Sequence, residues 1–292
     1  LDLLGQADHL LAGPDGDGIR TLSLVQRAGF LARAGDWGAA VSMLSGIGTD
    51  DAWLTGRQLV SVHLNRASTH QYLGHHDRAI EDLRVALDLA SRHRCLDLEF
   101  KARHNLGYSH FLVGDVPAAL RAMGEADRMD VDVARATAKR DHAQVLLESG
   151  LLDEATTLLA EALRIATERR LHHEVGETLV DIARLELLRG DGERALAVAR
   201  EAARLFRRRG AHGWWVQAEI LRAESLLACG TGRAGARRLV ERLQSLPTQS
   251  RAVRLDARLV ATEASLVAGN IEGAQALFRG TRASPTSPSA RL

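Results

Sequence analysis

Twelve histidines, two cysteines and one run of arginines are the side chains of this chain that could do chemistry. His63 and His70 stand seven residues apart, which on a helix puts them on one face. His75-His76 and His172-His173 lie near turns. A zinc site would need an HExxH pair or a His/Cys quartet, and neither spacing occurs. The expectation is no metal and no cofactor, with histidines that lie in solvent or line a groove. Cys95 follows His93 at a helix end or turn, and Cys229 directly precedes Gly230. A nucleophilic thiol needs a base beside it and surroundings that favour the thiolate. Neither cysteine carries such a signature, and no CxxC spacing suggests a disulfide framework or a structural zinc. The loop Gly13–Gly18 (GPDGDG) lacks the lysine and the preceding strand of a phosphate-binding loop. Arg204, Arg207, Arg208 and Arg209 precede Trp214-Trp215, a pairing that could hold phosphates and stack bases. The preferred reading is positive charge at a helix C-terminus, with a Trp pair sealing two neighbouring helix pairs. No residue is assigned a catalytic role, and the chain is not expected to be an enzyme by itself.

These residues sit in a repeated frame. A glycine recurs at Gly35, Gly74, Gly114, Gly150, Gly190, Gly230 and Gly269, with steps of 39, 40, 36, 40, 40 and 39 residues. Seven residues before each stands Ala28, Ala67, Gly107, Ala143, Ala183, Ala223 or Thr262. Five residues after each stands Ala40, Ala79, Ala119, Ala155, Ala195, Gly235 or Ala274. Nine after come Leu44, Leu83, Met123, Leu159, Ala199, Leu239 and Phe278. Small residues at minus seven and plus five let two antiparallel helices approach closely. The glycine supplies the left-handed cap between them, and the residue at plus nine fills the core between repeats. Gly35-Asp36, Gly114-Asp115, Gly190-Asp191 and Gly269-Asn270 read as helix stop followed by N-cap. A fixed period of this length marks a repeat architecture.

The frame predicts helix pairs at 21–34 with 37–44, 55–73 with 76–93, 97–113 with 116–128, 131–149 with 152–169, 173–189 with 193–209, 213–229 with 233–245, and 249–268 with 271–279. The step of 36 residues predicts a shortened link near Met129–Asp132. Residues 1–19 read as a partial helix and a loop, residues 20–280 as the repeat array, and the Ser/Pro-rich residues 281–292 as a flexible tail or cut linker. The first residue is Leu, which is the expectation for a trimmed chain.

With 46% hydrophobic and 26% charged residues, the composition suits a folded protein. The net charge of +1 argues against a whole-molecule nucleic-acid binder. No basic-then-apolar leader opens the chain and no long apolar run could span a membrane, so the expected location is the cytoplasm.

In these columns the chain resembles the tetratricopeptide repeat (TPR) family over about residues 20–280. The period exceeds that family's 34 residues, and most of its Trp and Tyr packing positions are missing. The resemblance implies an all-α, right-handed TPR-like α-solenoid of about seven antiparallel helix pairs. It also implies that the first helix of each pair lines a concave face, at positions minus 13, 10, 6, 3 and 2 from the glycine. The partner-binding residues it implies are Gln71, Tyr72, Lys101, His104, Tyr108, Arg140, Gln144 and Arg184, facing a protein or peptide ligand. Some family members hold a C-terminal carboxylate with Lys and Asn at minus 13 and minus nine. Here Asn65, Lys101 and Asn105 match those columns, while Thr137 and Asp141 do not.

A narrower resemblance rests on Ala102–Tyr108 (ARHNLGY), Val113–Leu120 (VGDVPAAL) and Ala202–Arg209 (AARLFRRR) running into Gly213-Trp214. These are similar to the N-terminal repeats of actinobacterial CHAT-domain proteins, in which a caspase-like protease domain follows. That implies an interaction scaffold, the sensor arm of a CHAT-domain protease. The alternative is the signal-sensing TPR region of a transcription regulator.

Overall fold

The computed structural model describes residues 17–33, 36–230, 233–244, 251–267 and 269–279. The expected partial helix at the start, the expected tail at the end and Gly35 lie outside them. Among the described residues fourteen α-helices follow in chain order: α1 Asp17–Arg33, α2 Trp37–Leu44, α3 Gly56–Tyr72, α4 His76–Arg92, α5 Leu96–Leu112, α6 Val116–Asp127 and α7 Arg135–Glu148. Then come α8 Leu152–Glu168, α9 His172–Leu188, α10 Gly192–Arg208, α11 His212–Ala228, α12 Arg233–Gln244, α13 Arg251–Val267 and α14 Ile271–Arg279. No strand occurs among the described residues. The fold is the all-α, TPR-like solenoid that the column pattern implies.

Each odd-numbered helix from α3 to α13 ends on the expected glycine. Gly74, Gly114, Gly150, Gly190, Gly230 and Gly269 all have positive φ, between 70° and 85°. After Gly74 the backbone closes in the Schellman pattern: the Gly74 amide donates to the Gln71 carbonyl at 3.0 Å and the His75 amide to the His70 carbonyl at 2.9 Å. The side chains of Asp36, Asp115, Asp191 and Asn270 then accept from backbone amides three residues on, at 2.9 to 3.1 Å. These are the four N-caps the sequence marks. Thr55 adds a full capping box with Gln58 at the head of α3.

The small-residue columns lie at the helix crossings. Ala28, Ala67, Ala143, Ala183 and Ala223 are buried, as are Ala40, Ala79, Ala119, Ala155, Ala195 and Ala274. A methyl group added to Gly107 would come within 2.6 Å of the Met123 Cγ and 2.9 Å of the Ala119 carbonyl oxygen. The minus-seven residue of this pair therefore rests directly on its plus-five and plus-nine residues. The column weakens at the end of the chain, where Phe278 is 47% exposed.

A second left-handed residue follows α4, α8 and α10 and stands directly before α7, and the glycine frame does not reveal it. Arg94, Ala134 and Arg170 have φ of 53°, 51° and 57°, and Gly210 has 68°. Two expected boundaries move. α1 begins at Asp17, inside the expected AGPDGDG loop. The missing residues of the 36-residue step come out of α6 and α7, with 12 and 14 residues against the 17 of α3, α4 and α5. The link between them, residues 128–134, is longer than the three-residue turn 93–95, and it is not shortened. Val131 is buried there with Phe100, Ala126 and Ala138, so hydrophobic packing holds the link where a helical turn would otherwise stand.

The chain divides into two compact units, at Val145 and Leu146 within α7. In the first, Leu44, Val60, Leu64, Leu83 and Leu89 build a core that also takes in Cys95, whose Sγ lies 3.5 Å from the His93 carbonyl. In the second, Phe206, Ala199, Ala202 and Val180 form one core, and Val216, Ile220, Leu239 and Val260 form another.

Candidate functional site: a cavity between the first helices of three pairs

Within the first unit, α3, α5 and α7 wall a cavity of about 330 Å³. From α3 come Ser61, Leu64, Asn65 and Ser68; from α5, Leu98, Phe100, Lys101, His104 and Asn105; from α7, Thr137, Ala138 and Asp141, with Ala134 from the link before it. The minus-13 column supplies Ser61, Lys101 and Thr137, and the minus-ten column supplies Leu64 and His104. The minus-nine column, which the groove positions omit, supplies Asn65, Asn105 and Asp141. It belongs there because minus 13 and minus nine are four apart and share a helix face.

The wall combines fixed and available polar groups. The His104 Nε2 lies 3.2 Å from Asp141 Oδ2, and the Arg140 guanidinium donates to Asp141 Oδ1 at 2.9 Å. Burial alone would push the Asp141 carboxyl up, but His104 and Arg140 outweigh it and hold it below the usual carboxylate range. Asp141 is therefore an occupied carboxylate that ties α5 to α7. Lys101 differs: it is exposed and forms no ion pair among the described residues. The Ser61 and Ser68 hydroxyls donate to the Arg57 and Leu64 carbonyls of their own helix, at 3.0 Å each, which leaves their lone pairs to accept. Leu64, Leu98 and Phe100 give apolar surface. The result is one cation and several amide and hydroxyl groups over an apolar floor, which suits non-covalent capture of a polar ligand.

Of the eight residues that the resemblance implies, only Lys101 and His104 line this cavity. Gln71 bridges pairs instead, its Nε2 donating to Ser109 Oγ at 2.7 Å. Tyr72 is 70% exposed and stacks flat on Trp37, with ring centroids 4.0 Å apart and planes at 8°. Tyr108 packs against Phe111, Arg140 is held by Asp141, and Gln144 is half-buried. Arg184 belongs to the second unit, 3.5 Å from buried Asp181.

His63 and His70 correct the solvent or groove expectation. Both are buried, and both face Asp82 of α4, at 3.0 and 3.9 Å. They do share a face, but it is the face that packs on the second helix of their own pair. Among the described residues no three His, Cys, Asp or Glu side chains could hold a metal ion, and no helix is long and apolar enough to cross a membrane.

The family model of the MalT-like TPR region matches residues 61–291, well over half of the chain. The chain belongs to this family. No curated protein matches it in sequence. Among solved structures it resembles the apo form of the quorum sensor NprR from B. thuringiensis, with TM-score 0.77 and 12% identity over 95% of this chain and 79% of that one. It also resembles the apo form of RapI, with TM-score 0.69 and 13% identity over 96% and 81% of the two chains. A third likeness is to a STAND protein with a tetratricopeptide repeat sensor, from Pyrococcus horikoshii, with TM-score 0.70 and 11% identity. This chain is covered to 94% there and spans 42% of the length of that protein. At such identities the likeness is one of fold.

Proposed function

We propose that this MalT-like TPR region is the ligand-sensing arm of a larger protein. It captures a peptide or a protein segment in the cavity of the first unit and passes that event to an attached effector. The observation that carries the reading is Lys101. It stands exposed among Asn65, Asn105 and Thr137, while the neighbouring Asp141 is already neutralised by His104 and Arg140. A ligand with an acidic or strongly accepting group would meet one unopposed cation and several amide donors there. The sensing part of the reading is supported by two of the three structures named above, which carry the word sensor in their names, and the effector is a CHAT-domain protease or a transcription regulator.

Selection from a displayed random peptide library on the intact chain tests this. Selected peptides should carry an Asp, a Glu or a free C-terminus, and the double variant Lys101→Ala, Asn105→Ala should lose them with its melting temperature unchanged. Selection of peptides that bind the double variant equally well would refute the site.

A further inference from the structure

The second unit carries a charged surface that the sensing reading does not use. Five of its arginines are matched with carboxylates: Arg164 with Glu168, Arg184 with Asp181, Arg189 with Asp153, Arg194 with Glu186 and Arg222 with Glu219. Five others are not. Arg200, Arg204, Arg207, Arg208 and Arg209 are all exposed, and none forms an ion pair among the described residues. Glu201, the lone carboxylate of that stretch, pairs with none of them. The dipole at the end of α10 accounts for Arg207 and Arg208 in its last turn. It does not account for Arg200 and Arg204, which lie a turn or more upstream. Arg200, Arg204 and Arg208 are spaced by four, so they form one row of like charges that repel each other along the helix.

Beside this row a cavity of about 310 Å³ opens at the turn between α10 and α11, lined by Phe206, Arg207, Gly210, His212 and Trp215. Arg207 is thus both rim and patch. The aromatic rings around it are already engaged. Trp214 stacks on Phe206 at 5.7 Å and meets His173 edge-on, and His212 lies 5.3 Å from the Trp215 ring. Trp215 also packs against both cores of the unit. Base recognition uses open aromatic faces as stacking platforms, and here the faces are spent on one another. A compact apolar side chain can enter such a pocket without needing one.

We propose that the outer face of α10 and this pocket together dock an acidic peptide segment that carries one apolar side chain. The arginine row sits on acidic residues and the Phe206–Trp215 pocket takes the apolar one. Alternate residues of an extended chain lie about 6–7 Å apart, close to the roughly 6 Å between residues four apart on a helix, so the two charge rows can run in step.

Fluorescence anisotropy tests this on the intact chain, with a labelled octapeptide of glutamates interrupted by one central leucine. Its all-glutamate counterpart and an oligothymidylate serve as comparisons. The leucine peptide should bind more tightly than the all-glutamate peptide and weaken with salt, and it alone should shift the tryptophan emission. The triple reversal Arg200→Glu, Arg204→Glu, Arg208→Glu should weaken it by on the order of tenfold or more. The triple Gln variant should fall between, and both variants should stay folded and melt within a few degrees of the parent, since the three positions are exposed and the loss of positive charge at the end of α10 costs at most about 1 kcal/mol. Equal affinity for parent and reversed chain would overturn the proposal. So would tighter binding of the oligothymidylate, or no binding of either peptide.

Discussion

Arg66 grips Asp82 inside the first unit: the Arg66 Nε donates to both carboxylate oxygens, at 3.0 and 2.9 Å, and a terminal nitrogen donates to Oδ1 at 2.6 Å. Its other terminal nitrogen reaches back to the Leu44 carbonyl at 3.0 Å, so one side chain joins α2, α3 and α4. His63 completes the cluster through Asp82 Oδ1. Asp82→Ala leaves a part-buried guanidinium with carbonyl and His63 partners but no carboxylate, and should cost about 3 kcal/mol in urea unfolding. A loss below about 1 kcal/mol would mean that Asp82 is not what balances Arg66.

The glycine columns give a paired test. Gly107→Ala drives a methyl group into Met123 and the Ala119 carbonyl, and overpacking of that kind costs about 1–3 kcal/mol. At Gly235, in the plus-five column, an added methyl would meet only the Leu226 Cδ1 at 3.6 Å, an ordinary contact. Gly235→Ala should be neutral or stabilise by up to about 1 kcal/mol through helix propensity. Thermal melts should show a clear drop for Gly107→Ala and none for Gly235→Ala.

Much of this was legible in the sequence because backbone geometry leaves a residue signature. A left-handed cap after a helix selects glycine, and a close helix crossing selects Ala or Gly, so two spacings located seven pairs. The second left-handed position carries no such signature, because Arg94, Ala134 and Arg170 occupy it along with Gly210. The site was harder to read. Side chains are placed by their neighbours across pairs, and nothing local marks Arg140 as held by Asp141 or Gln71 as a bridge to Ser109. Asn65 and Asn105 form a column whose four-residue offset puts it on the face of minus 13, yet only the packing of α3, α5 and α7 shows that this face walls a cavity.

Arg170 sits left-handed at the end of α8, where Gly210 sits at the end of α10. A side chain there is strained by about 1–2 kcal/mol, offset in part by the backbone freedom that glycine brings. Arg170→Gly should therefore raise stability by roughly 0.5–1 kcal/mol, seen as a melting temperature a few degrees higher. An unchanged or lower melting temperature would show that the turn is relaxed as it stands.

Acid should weaken the first unit in two stages. Burial holds the His70 imidazole below its usual range, so near and below pH of about 6.5 the unfolded chain takes up a proton that the folded chain resists. Stability contributed by neutral His70 is thus present above that pH and lost as pH falls. Asp82 and Asp141 are also held low, despite burial that would push them up, because His63 with Arg66 and His104 with Arg140 outweigh it. Their share is present above pH of about 4 and lost below it. Urea midpoints measured from pH 8 downward should decline in both ranges, and His70→Gln should remove the first decline alone.

The proposed ligand enters between α3, α5 and α7. Amide hydrogen exchange of the intact chain, with and without a selected peptide, tests it most directly. Slower exchange should centre on residues 61–68, 98–105 and 134–141. Protection confined to other helices, with those three stretches unchanged, would contradict it.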